Sequence, residues 1–285
     1  MAWPAKRRRS VLPGFGLTLG FTLTYLSLLV LLPIAAVYAK SFSQSWSAFA
    51  AIVTAPRTLA AFKLSLLAAL IAAVLNFVFG LVVAWVLERY ELPGRRLIDA
   101  LVDLPFALPT AVAGITLASL YGPQGLIGSQ LAKLGIQVAY TPLGVVVALT
   151  FVGLPFVVRT VQPVLHDFDL AVEEAAASLG ASRGQIFRRL IWPEIFPAAA
   201  TGFVLSLARA LGEYGSVIFI AGNLPMRSEI TPLLIVIQLE QYNYAGAAAI
   251  AAVFLSISFA LLLAVNLLIA WRGRHGSRPA AGGEA

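Results

Sequence analysis

Hydrophobic residues in this chain fall into long continuous runs rather than the alternating or one-sided patterns of a soluble domain. Six runs stand out, at 15–38, 59–87, 100–120, 141–161, 196–220 and 245–271. About 20 apolar residues suffice to cross a bilayer as a helix. A helix also satisfies its own backbone hydrogen bonds in hydrocarbon, which an open strand cannot. The pattern predicts an all-α polytopic membrane protein with six transmembrane helices over 15–271. A basic segment at 1–14 precedes them, and a Gly-, Pro- and Arg-rich tail at 272–285 reads as disordered. The first run follows Lys6, Arg7, Arg8 and Arg9, as a signal peptide would, and Ala-x-Ala-like positions lie near Ala35 to Ala39. Its length nevertheless exceeds the roughly 7–15 residues of a signal-peptide core, so it reads as a spanning helix. Residues 41–57 read as an outer loop with room for an interfacial helix.

Several runs contain residues that break or narrow a helix. These are Pro105, Pro109 and Gly114 in the third, Gly144, Gly153 and Pro155 in the fourth, and Gly202 and Gly212 in the fifth. Small residues let helices pack closely in membranes. The same positions could instead act as kinks that let helices rock, and the sequence leaves both readings open.

Composition fits a lipid-solvated chain. The 285 residues are 60% hydrophobic and 12% charged, against about a quarter charged in a soluble domain. The net charge of +7 raises the question of nucleic acid, but the placement of the basic residues answers it. With the N-terminus in the cytoplasm, that side holds fourteen: Lys6 to Arg9; Arg89, Arg95 and Arg96; Arg159, Arg183, Arg188 and Arg189; and Arg272, Arg274 and Arg278. The outer side holds five: Lys40, Arg57, Lys63, Lys133 and Arg227. This is the positive-inside asymmetry of a membrane protein, and it places both termini inside without invoking nucleic acid. Tyr and Trp residues such as Tyr38, Trp85, Tyr121 and Trp271 sit near the ends of runs, where an aromatic belt is expected. The chain has no cysteine and only two histidines, His166 and His275. Disulfides and thiolate chemistry are excluded, and no metal site is expected.

The loop at about 167–193 carries the most information. Asp167 or Asp169 can cap a first short helix, with Glu173 and Glu174 favourable to its dipole. Gly180 then ends it as a left-handed residue. Ser182 with Gln185 forms a capping box for a second short helix, which Pro193 closes before the fifth span. Ala171, Ala175 and Ala176 give the first helix a small-residue face suited to close approach by a partner. The order Glu174-Ala175-Ala176, three residues, Gly180, nine residues, Leu190-Ile191-Trp192-Pro193 resembles the EAA loop of bacterial ABC importer permeases. Leu190 stands where that family usually has Ile, and Trp192 where it has Leu.

The resemblance implies the type I importer permease (MetI-like) fold. It also implies that Glu174, Ala175, Ala176, Gly180, Leu190 and Pro193 form a coupling element seated in a cleft of a separate ATPase. The chain has no G-x-x-x-x-G-K-[ST] loop, so ATP and Mg are expected on that partner, with no cofactor in this chain. Further stretches are similar to sulfate/thiosulfate permease subunits of the same class: Leu108 to Leu117, Tyr121 to Gly125, Ala208 to Gly215, Phe219 to Ile230 and Leu239 to Gly246. Within them, Arg-Ala-Leu-Gly-Glu is shared with molybdate permeases, while Gly-Asn-Leu-Pro-Met-Arg-Ser-Glu is the more specific stretch. The resemblance implies a complex with two ATPase copies, a related second permease subunit and a periplasmic sulfate-binding protein. Molybdate or tungstate is the alternative cargo.

Charged residues inside a span are expensive unless they face protein or water. Arg209 and Glu213 lie in the fifth run, four residues apart, so a continuous helix puts them on one face. Gly202, Ser206 and Ser216 extend that face into a polar stripe expected to look into the bundle. The stripe could line the translocation path, with Arg209 attracting a dianion, or the pair could neutralise itself and lock the span. Asn76 and Asn266 are expected to hydrogen-bond between helices. A membrane enzyme or a structural membrane protein are the competing classes. No nucleophile–base or metal-ligand constellation favours an enzyme, and the coupling loop argues against a purely structural role.

Overall fold

The computed structural model describes residues 15–276. Among them every regular element is helical: α1 (Phe15–Ser41), α2 (Trp46–Val53), α3 (Pro56–Arg89), α4 (Arg95–Val102), α5 (Leu104–Ala107), α6 (Thr110–Tyr121), α7 (Gly128–Lys133), α8 (Pro142–Asp167), α9 (Leu170–Ser178), α10 (Arg183–Ile186), α11 (Trp192–Leu211), α12 (Val217–Ile220), α13 (Thr231–Glu240) and α14 (Tyr244–Gly276). Five helical stretches are long and apolar enough to cross a membrane: α1, α3, α8, the stretch Arg183–Leu211 and α14. The basic segment 1–14 and residues 277–285 of the predicted tail lie outside the described residues. The last helix carries past Trp271 to Gly276, into the expected tail.

The sixth crossing is not one helix. The third apolar run, predicted as a continuous span over 100–120, is split into α4, α5 and α6. Pro105 sits in the first turn of α5 and has no N–H to continue α4. Leu108 is extended ahead of Pro109, as a residue before proline prefers. The pieces still traverse the bundle. Asp99 and Asp103 of α4 bond Arg159 near the C-terminal end of α8, whereas Tyr121 at the end of α6 lies beside Gln137, just ahead of the N-terminal end of α8.

The core is a three-helix packing of α3, α8 and α11. Small residues set its spacing. A Cβ on Gly153 would fall onto Asn76 Nδ2 and Ser206 Oγ, and one on Gly202 would meet the Val157 backbone and Thr160 Oγ1. With no side chain at these places the backbones approach closely. The fully buried Asn76 then donates to Ser206 Oγ at 3.0 Å, the interhelical bond expected of it. Asn266 differs from expectation: it is exposed and bonds the Leu262 carbonyl of its own helix. On a lipid-facing surface, its own helix offers the nearest acceptor.

The fifth apolar run is also shorter than predicted. α11 ends at Leu211 with Gly212 as cap, and residues 212–216 form an irregular turn before α12. Gly215 lies against Thr110, and Gly114 against the Ser216 backbone, so the turn is pinned to α6. The chain then forms α13 inside a segment that reads from sequence as outer loop. At about 1.5 Å per residue its ten residues reach only about 15 Å, half a bilayer. The segment 41–57 does hold a short helix, α2, capped by Ser45. α1 is almost wholly exposed and leans on α14, where Tyr38 Oη lies 2.7 Å from Ser256 Oγ.

Candidate functional site

The loop at 167–193, expected to serve as a coupling element, is built much as its residues dictate. Asp169 caps α9 by accepting from Ala171 N at 2.9 Å. Gly180 has φ +85°, the left-handed conformation predicted for it, with Ala181 N closing onto Ala176 O. The Ser182–Gln185 capping box is present in both directions. The second helix departs from expectation, because it is not a separate short element. α10 runs through a π turn, Phe187–Ile191, directly into α11, with Trp192 N bonded to Phe187 O. A proline at 193 lacks the N–H that a regular helix would use, and the widened turn absorbs it at the start of the span.

The six expected coupling residues divide accordingly. Glu174, Ala175 and Gly180 are exposed at the protruding end, together with Ala171 and Leu179. Ala176 is half-buried and packs inward against the lower core. Leu190 also joins that core, and Pro193 belongs to the first turn of α11. Leu190 therefore braces the element from behind, whereas Pro193 is exposed but sits in the first turn of α11. Glu173, which the sequence presents only as a dipole partner, turns inward. Its Oε1 lies 2.6 Å from Arg89 Nη2, and the Arg89 guanidinium sits over the rings of Trp85 and Phe168.

Above the lower core lies the ion pair of the fifth crossing. Arg209 Nη2 and Glu213 Oε2 are 2.6 Å apart, although Glu213 lies beyond the helix end. The predicted stripe is therefore not one helix face. Gly202 and Ser206 turn toward α3 and α8, whereas Glu213 and Ser216 belong to the turn at 212–216. The pair is unequal. The Glu213 side chain is 1% exposed and the Arg209 side chain 34%. Glu213 Oε1 also accepts from Ser216 N and Ser216 Oγ, both at 2.9 Å. The carboxylate is thus anchored by the turn, and the guanidinium rests on it with part of its surface free. Thr201, Leu205, Ala208 and Gly212 continue the exposed side of α11 next to it.

Two charged clusters have no counterpart in the sequence reading. At one end of the bundle Arg57 makes two bonds to Glu229, at 2.8 and 2.6 Å, tying the chain ahead of α13 to the start of α3. On the opposite side Arg159 grips both carboxylate oxygens of Asp103, at 2.8 and 2.7 Å, and Asp99 Oδ1 at 2.7 Å. That hydrogen bond from Arg159 holds the Asp99 carboxyl below the ordinary carboxylate range. Glu88 joins the cluster through Arg95, Gln162 and His166. Each contact is between residues far apart in sequence or on different elements, so no local pattern announces it. Among the described residues no group of acidic or histidine side chains could hold a metal ion.

Taken together, the architecture is that of an ABC-transporter membrane subunit. A chain of a bacterial ABC transporter involved in the import of the acidic polysaccharide alginate superposes with a TM-score of 0.74 at 16% identity, covering 90% of this chain and 94% of that one. A chain of the MetNI methionine transporter in an inward-facing form gives 0.56 at 20% identity, over 82% and 100%. The family described as binding-protein-dependent transport system inner membrane component matches residues 77–272, and the chain belongs to that family. It is a multi-pass membrane component of a transport system. Its relatives include the sulfate transport system permease protein CysT of Salmonella typhimurium, 51% identical over 267 residues, 94% of this chain and 96% of that protein. The probable sulfate transport system permease protein of Nephroselmis olivacea is 56% identical over 245 residues, 86% of each.

Proposed function

We propose that this chain is one of two membrane-spanning subunits of an ATP-driven importer that carries sulfate and thiosulfate across the inner membrane. The observation that carries the cargo is identity of about half, over nearly the whole length, to relatives named as sulfate transport permeases. The exposed end of α9 supports the ATP-driven part. Glu174, Ala175 and Gly180 form a capped, rigid projection that a cleft in an ATPase subunit can accept. ATP and Mg then reside on two copies of that ATPase. A related second permease subunit completes the membrane part, and a periplasmic sulfate-binding protein delivers the anion to the outer end. Both termini lie in the cytoplasm, by the charge asymmetry of the loops. Glu213 acts as the anchor of the fifth crossing, and Arg209 is the cation it presents on the open side of α11.

Uptake of radiolabelled sulfate by the complete complex, with its cognate binding protein, tests this reading. Excess thiosulfate should compete. Uptake of molybdate with no detectable sulfate uptake would overturn the cargo and leave the transporter class standing. A reporter fused after Arg272 that is active only in the periplasm would overturn the orientation.

A further inference from the structure

The charged cluster at the inner end of the bundle forms a continuous chain of contacts. It begins on the coupling helix, where Glu173 meets Arg89 at 2.6 Å. Arg89 and Glu88 are neighbours at the end of α3. Glu88 contacts Arg95 of α4 at 3.0 Å, and on α8 it reaches Gln162 at 2.9 Å and His166 at 3.3 Å. Gln162 accepts from Arg159 at 2.6 Å and donates to Asp99 at 3.2 Å. Arg159 ends the chain on Asp99 and Asp103. Those two aspartates occupy the last turn of α4 and the break itself, since Asp103 is both the end of α4 and the start of α5. Arg159 thus holds the third crossing at the point where Pro105 interrupts it.

We propose that this ionic chain, from Glu173 on the coupling helix to Asp103 at the break of the third crossing, transmits ATPase movements to α4–α6. The inference rests on the coupling role proposed above for α9. Three features carry it. The two parts of the ionic chain meet at consecutive residues of one rigid helix end, Arg89 and Glu88 of α3, and on either side of that backbone link the steps are made by polar side chains. It joins the protruding helix to the least continuous crossing, where a helix can pivot without breaking intact hydrogen bonds. Its far end is half-exposed, with Arg159 at 29%, Asp99 at 40% and Asp103 at 49%. Half-exposed contacts of that kind are screened by water, so they can exchange partners within a transport cycle. A fully buried network would hold the crossing fixed.

The test uses the complete complex, reconstituted with its ATPase and binding protein. The chain has no cysteine, so Leu101→Cys on α4 and Leu263→Cys on α14, both exposed, take spin labels cleanly. The distance between them is measured with and without an ATP analogue. With Glu173 and Arg159 intact, the analogue should shift the distance. Glu173→Arg and, separately, Arg159→Gln should abolish the shift and raise the ATP consumed per anion by about 5-fold or more, the scale of a typical coupling energy. Arg89→Glu combined with Glu173→Arg should restore both readouts, which a general loss of packing would not do. An unchanged shift in Arg159→Gln, which leaves α9 untouched, overturns the proposal whatever happens to Glu173→Arg. Failure of the ATPase to bind the complex with Glu173 and Arg159 intact would instead remove the coupling role of α9, a separate outcome.

Discussion

The unequal burial of Arg209 and Glu213 yields a sharp prediction about the order of damage when each is removed. Arg209→Ala leaves a carboxylate that is 1% exposed with only the two Ser216 donors. Stranding one member of a buried pair costs roughly 3–5 kcal/mol. Glu213→Ala strands an arginine that is 34% exposed and can take up water or a counter-ion. Its main penalty is the loss of an acceptor for the buried Ser216 N–H and hydroxyl, about 1–3 kcal/mol. The combination Arg209→Ala with Glu213→Ala leaves only that second penalty, so it should be more stable than Arg209→Ala alone by about 2 kcal/mol. The assay is the thermal midpoint and yield of the intact complex, with sulfate uptake per assembled complex measured alongside. The expected order of stability is Glu213→Ala and the double variant together, then Arg209→Ala well below. Arg209→Ala as stable as Glu213→Ala would refute the claim that the carboxylate is the anchored, buried member. The uptake arm answers a different question. A double variant that assembles but transports at less than about a tenth of the normal rate, a barrier raised by about 1.4 kcal/mol or more, assigns Arg209 to the anion path. Near-normal uptake assigns the pair to structure alone.

Other outcomes rest on single features. Gly153→Val drives a side chain into Asn76 and Ser206; overpacking of about 1–3 kcal/mol plus the broken buried bond should lower the yield of folded subunit, read by detergent-resistant monodispersity. Gly180 has open space around it but φ +85°, so Gly180→Val should insert normally yet strain the end of α9 by about 1–2 kcal/mol and weaken ATPase co-purification; undiminished co-purification would count against α9 as the docking element. Asp99 is held below the ordinary carboxylate range by Arg159. Its contribution is therefore complete above about pH 4 and fades only as pH falls through the depressed value. Hydrogen exchange in α4, corrected for intrinsic rates, should stay level from pH 8 to pH 5 and rise only below about pH 4; a midpoint near neutrality would mean another group controls α4.

The features legible in the sequence are those with a local or compositional cause. Long apolar runs and the sidedness of basic residues define a polytopic membrane protein because hydrocarbon tolerates little else. The capping of α9 by Asp169, the left-handed Gly180 and the Ser182–Gln185 box are readable because each depends on residues within four positions of one another. By spacing, Leu190 belongs to the same surface as Glu174 and Ala175, yet it packs against the core, because the π turn carries the second helix straight into α11 in a way no spacing rule contains.

Tertiary structure decided the rest. An apolar run states that a segment lies in lipid or protein, not that it is one helix. Pro105 and Pro109 split the third crossing, and the turn at 212–216 ends the fifth early because α6 packs against its glycine. Glu213 consequently meets Arg209 from the irregular turn beyond the helix end and not along a helix face. In the sequence Arg159 is only one more inside charge. Its partners Asp99 and Asp103 lie 60 and 56 residues away. A side chain's charge and its local turn are fixed by neighbours in the chain. The partner it meets is set by how the helices pack.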